Sequence, residues 1–201
     1  MSTHDNNSSH TKLSPARLEA FSDAVMAIII TITVLSIKIP AGAGRDSLIT
    51  FLPSFLVYAV SFQVIGTYWN NHHHLLRATK HVSAGIMWAN LYLLFWISLI
   101  PVATTWLGEH WQSRWPTFLY ATVLLMAGLA YTLLEFQVVR HTERREDLLQ
   151  ELRKKPKGII SIIIYIVALV CAFYQPIISD ALIVLTALMW FIPDKRIEKY
   201  I

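Results

Sequence analysis

Arg17-Leu18-Glu19-Ala20-Phe21-Ser22-Asp23 runs straight into Ala24-Val25-Met26-Ala27-Ile28-Ile29-Ile30-Thr31-Ile32-Thr33-Val34-Leu35. A carboxylate thus stands at the mouth of a long apolar stretch. An acid in hydrocarbon costs about 2–3 kcal/mol or more, so its presence there points to function and to a partner. Ser14 is a suitable helix cap and Pro15 suits a first helical position. Pro40-Ala41-Gly42-Ala43-Gly44 supplies the stop, so a spanning helix is expected from Pro15 to about Ile39.

The rest of the chain has the same character. Of its 201 residues 55% are hydrophobic, and mean hydropathy is +0.47. The apolar residues come in blocks of spanning length, which defines an integral membrane protein. Further spans are expected at Ser47–Asn71, Ser83–Leu107 with a kink at Pro101, and Pro116–Val139. Gly158–Tyr174 and Pro176–Ile192 are shorter and read as a tight helical hairpin, with a re-entrant pair as the alternative. The fold class is therefore all-α, with six transmembrane helices in one membrane domain over 14–193. Residues 1–13 are polar and read as a disordered cytoplasmic tail. Residues 194–201 read as a short basic cytoplasmic tail, and His141–Leu152 as an interfacial extension of the fourth span.

Charge gives the orientation. With the first span starting inside, fourteen of the 17 Lys and Arg fall on inside segments, leaving Lys38, Arg45 and Arg114. The positive-inside rule puts both termini in the cytoplasm. The net charge of +4 follows these loops, so it does not indicate nucleic-acid binding. Cys171, the single cysteine, lies in an apolar run and excludes a disulfide framework within the chain.

The partner of Asp23 has to come from another helix. Arg17 is six residues away, about 240° around the helix, and Glu19 shares the face of Asp23 and repels it. The second span ends at the same membrane side in Tyr68-Trp69-Asn70-Asn71-His72-His73-His74. Its indole, amides and imidazoles can all donate to a carboxylate, and Ser22 can join them. Adjacent histidines on a helix diverge by about 100°, so the three do not form a metal site. Ile28, Ile32 and Leu35 lie along one stripe of the first helix, which by itself is equally a packing or lipid face. Thr31 and Thr33 interrupt the run and usually bond back to their own backbone.

The string Arg17…Phe21-Ser22-Asp23, an R-x-x-x-F-S-D pattern, resembles the signature of the transmembrane protein 175 potassium channels. These occur in animal lysosomes and endosomes and have shorter prokaryotic relatives. Ala27-Ile28-Ile29-Ile30-Thr31 continues the likeness in the first helix. Trp69-Asn70-Asn71-His72-His73 resembles the W-x-x-H-H element ending the second. Asn90-Leu91, Pro101 and Leu107-Gly108 resemble elements of the third. One six-helix unit, rather than two, is similar to the prokaryotic type.

The resemblance implies a homotetramer in a prokaryotic plasma membrane, with a central pore lined by the four first helices. It implies a principal constriction at Ile28, further rings at Ile32 and Leu35, and a polar position at Thr31. It assigns Arg17, Phe21, Ser22, Asp23, Trp69, His72 and His73 to a polar network that holds the pore helix. No T-V-G-Y-G filter is present. A hydrophobic ring can gate by dewetting. Potassium sheds water more readily than sodium, so modest potassium selectivity is expected of such a ring. The permeant ion is then K+, the other partner is the bilayer, and no cofactor or metal is needed. The rival is a secondary transporter or proton-coupled carrier using Asp23 and His72 as a relay. It lacks an acid near mid-membrane: Asp23 and Glu135 lie nearer the span ends. No grouping of nucleophile, base and orienter supports an enzyme.

Overall fold

The computed structural model describes residues 14–77, 79, 81–142 and 157–191. The expected tails at 1–13 and 194–201 lie outside these, as do residues 143–152 of the expected interfacial extension. The helices are α1 (Pro15–Leu35), α2 (Arg45–Arg77), α3 (Ala84–Ser98), α4 (Ile100–Glu109) and α5 (Arg114–His141), then α6 (Lys157–Tyr174) and α7 (Pro176–Phe191). Among the described residues, five stretches are long and apolar enough to cross a membrane: α1, α2, α3 with α4, α5, and α6. The sixth, α7, is a shorter apolar helix. The chain is a multi-pass, all-α membrane protein.

Helix boundaries follow from local chemistry. Ser14 is the N-cap and Pro15 opens α1 as expected; Ser14 has the extended backbone of a cap, and its side chain makes no capping bond. The helix stops at Leu35 rather than Ile39, and Pro40 bars Ile39 from the helical region. Ser36 N–H still makes a helical bond to the Ile32 carbonyl (3.0 Å), and the chain then tightens, with Ile37 N–H donating three residues back to the Val34 carbonyl (3.3 Å). In contrast, α2 continues past the expected Asn71 to Arg77. Nothing in Asn71–Leu76 breaks a helix, and Leu75 and Leu76 bury themselves at its end. The histidines consequently lie on a helix, not beyond one.

The third span breaks into α3 and α4 at Leu99, two residues before Pro101. Proline has no N–H to return to the Ile97 carbonyl, and its ring crowds that turn. Leu99 N–H bonds three residues back to the Trp96 carbonyl (3.2 Å), and α4 restarts with Ala103 N–H donating to the Leu99 carbonyl (3.1 Å). The fourth span ends at His141 because Thr142 is extended. A single residue, Gln175, joins α6 to α7, with Pro176 opening the latter.

Lipid offers apolar side chains no reason to leave it, so membrane helices associate through close packing and polar contacts. Both are present here. A Cβ on Gly108 would come within 2.9 Å of Ser54 Cα, so this glycine permits the α2–α4 crossing. Ser54 Oγ donates to the Gly108 carbonyl there (2.9 Å). Deeper in the same bundle, the buried Ser61 hydroxyl shares hydrogen bonds with Thr104 Oγ1 (2.6 Å) and Tyr120 OH (2.8 Å), joining α2, α4 and α5. Ala121, Ala127 and Ala130 of α5 and Ala168 and Ala172 of α6 are all buried, letting helices approach closely. Helix α6 packs along α5, α7 packs on α6, and α1 lies at the edge against α2, α3 and α4.

Candidate ion pathway and its anchor

The first helix has two faces. Leu18, Ser22, Met26, Ile29 and Thr33 recur every three or four residues and are buried against the bundle. The opposite stripe is bare: Ile28 is 56% exposed, Ile32 47% and Leu35 82%. Thr31 is exposed on the same side, its hydroxyl donating to the Ile28 carbonyl (2.8 Å). Thr33, on the buried side, donates likewise to the Ile29 carbonyl (2.6 Å).

The buried face is tied down by polar contacts at the start of the helix. Ser22 Oγ donates to the Leu18 carbonyl (2.9 Å). Asn90 Nδ2 of α3 donates to Ser22 Oγ (3.0 Å). The Asn90 Oδ1 contact with the same hydroxyl is longer (3.3 Å) and has no proton to use, since the hydroxyl proton is already given to Leu18. Asn90 Oδ1 instead faces His72 Nε2 of α2 at 2.6 Å. An amide oxygen only accepts, so the imidazole carries its proton on Nε2. Asn90 therefore joins three helices through one buried side chain.

The other expected network residues distribute around this core. His73 Nδ1 pairs with Glu19 of α1, a second α1–α2 link. Asp23 is half-buried beside it, within electrostatic reach of His72. The direct bond expected between Asp23 and the end of α2 is not made: Asp23 Oδ1 and His72 Nδ1 are each buried without a hydrogen-bond partner. Ser22, one residue earlier and about 100° around the helix, is the side chain that points into the α2–α3 crevice. Two neighbouring buried polar orphans make a fitting place for an ordered water. Arg17, Phe21 and Trp69 are exposed, and among the described residues Arg17 forms no ion pair.

Three features escaped the sequence reading. Asn90 was noted without a role, although a lone amide in the apolar run Ala84–Leu99 is itself a signal of an interior contact. The Glu19–His73 pair was unforeseen because Glu19 read only as a repelling neighbour of Asp23. Asp180 was assigned nothing; it lies half-buried in the second turn of α7, with Oδ1 unpartnered.

An all-helical membrane bundle, with one helix polar-anchored on one side and bare along an apolar stripe on the other, has the layout of a channel subunit. The profile of the family described as "Endosomal/lysosomal potassium channel TMEM175" matches residues 17–101, which contain both the stripe and the anchor. A potassium channel of Chryseobacterium sp. (strain P1-3) is 47% identical over 187 residues, 93% of this chain and 97% of its own. The crystal structure of a lysosomal potassium-selective channel TMEM175 homolog from Chamaesiphon minutus superposes with a TM-score of 0.77 at 25% identity, covering 88% of this chain and 95% of that one. The endosomal/lysosomal proton channel TMEM175 of Mus musculus is 31% identical over 106 residues, 47% of this chain and 21% of its own length. The chain belongs to the TMEM175 family, which is a family of ion channels and not of enzymes.

Proposed function

We propose that the protein is a passive, potassium-selective cation channel. Four copies assemble around α1, in a prokaryotic plasma membrane, with both termini cytoplasmic. Ile28 forms the main constriction, Ile32 and Leu35 form rings beyond it, and Thr31 offers an oxygen between them. Ser22, Asp23, His72 and His73 hold the helix, with Arg17, Phe21 and Trp69 completing the network once neighbouring copies are in place. The observation that carries this reading is the division of α1: its buried face is bonded to α2 and α3, while Ile28, Ile32 and Leu35 remain bare.

The relatives support the ion. The Chryseobacterium protein, nearly the same length, is named a potassium channel. A ring of isoleucines supplies no ligands, so it discriminates by how readily an ion gives up water, which yields modest selectivity. Replacing Ile28 by Asn brings a polar, hydrated side chain into the ring. In liposomes, Ile28→Asn is expected to raise cation flux and lower the potassium-over-sodium ratio. Flux and ratio both equal to wild type would remove Ile28 from the constriction.

A second reading, proton movement through Asp23 and His72, draws on their unpartnered buried atoms and on the name of the mouse relative. It separates from the first in the same liposomes, where a pH-sensitive dye reports protons and a potassium gradient reports potassium.

A further inference from the structure

The chain just past Leu35 carries a cation that the pore reading leaves unexplained. Lys38 is 76% exposed in its side chain, and its Nζ lies 2.9 Å from Glu109 Oε1. Three residues of chain span at most about 10 Å, so the Lys38 backbone lies within that distance of the Leu35 backbone, at the same end of α1. The pair borders a cavity of about 10 Å³, room for one water, with Ser36, Ser54 and Thr104 also on its wall. In a four-fold assembly built on α1, four such ammonium groups would ring the mouth.

Stability does not account for the acid. Glu109 is the last residue of α4, where the helix dipole disfavours negative charge. The Glu109 side chain is only 28% exposed, but Lys38 is mostly solvated, and a pair with one partner in solvent adds little to folding. Its effect is on the field. At this end of the bundle, Asp46, Glu109 and Asp180 are the described acids set against Lys38, Arg45 and Arg114. Asp46 lies at the start of α2, and Glu109 is the one that meets Lys38.

We propose that Glu109 governs cation entry by neutralising Lys38 at the outer mouth of the pore. The inference rests on the tetrameric pore built from α1. Without Glu109, four uncompensated charges at the mouth repel an entering cation. At ~0.1 M salt the Debye length is about 10 Å, so the repulsion is partly screened and worth on the order of a threefold loss of conductance. At ~1 M salt the Debye length is about 3 Å and the loss vanishes.

The test compares wild type, Glu109→Gln, Lys38→Gln and the double variant in planar bilayers, at ~0.1 M and ~1 M KCl. Glu109→Gln is expected to conduct about threefold less than wild type at low salt and equally at high salt. The double variant should match wild type at both. A Glu109→Gln channel equal to wild type at low salt would overturn the proposal. So would a loss that persists at high salt and in the double variant, which would make the pair a brace for the helix end. A wild-type protein that carries no current would instead overturn the pore reading beneath it.

Discussion

At the residue scale, Asn90 decides whether α1 is held. It is fully buried, and both halves of its amide are used, Nδ2 toward Ser22 and Oδ1 toward His72. Replacing it by leucine keeps the volume, leaves the buried His72 Nε2–H without an acceptor and takes from Ser22 Oγ the bond it accepts, at about 1–2 kcal/mol in a membrane protein. For a chain of this size that is a fall in Tm of roughly 2–8 °C. Asn90→Leu is expected to show that fall in detergent. Adding Ser22→Ala should cost little more, because the two side chains serve one network. An unchanged Tm, or fully additive losses, would show that the amide is not the hub. The sequence located this region through Ser22 and His72, yet it pointed to Asp23 as the bonded acid. Which of two adjacent residues faces a crevice depends on the rotation of α1 against α2 and α3, and sequence spacing leaves that rotation free.

At the scale of elements, the five spanning stretches and the shorter apolar helix after them were legible because length and hydropathy set them, and the turn at Gln175-Pro176 was legible from its proline. The ends of α1 and α2 were not. They depend on whether the flanking residues find burial or a tertiary contact, as Leu76 does and as Lys38 does with Glu109. The α2–α4 crossing likewise became visible only in three dimensions. Gly108 read as part of a motif, and its physical role is to let Ser54 approach. Gly108→Ala would force the two helices apart, at about 1–3 kcal/mol. Gly66→Ala is the matched control, since nothing lies within 4 Å of the added carbon. Thermal unfolding should show a clear loss for the first substitution and none for the second. Equal behaviour would mean that the crossing tolerates a wider gap.

At the scale of the whole molecule, a single chain leaves one face of its first helix bare. In a bilayer that stripe meets lipid or, in the proposed assembly, other copies of itself. A passive path also agrees with the described acids: Glu19, Asp23 and Glu135 lie toward one end of the bundle, and Asp46, Glu109 and Asp180 toward the other. The most direct measurement is ion flux through the purified wild-type protein in liposomes, with potassium and sodium gradients in turn and no proton gradient. The account predicts potassium flux well above that of protein-free vesicles and modestly above the sodium flux. No potassium flux, or flux that appears only when a proton gradient is imposed, would contradict it.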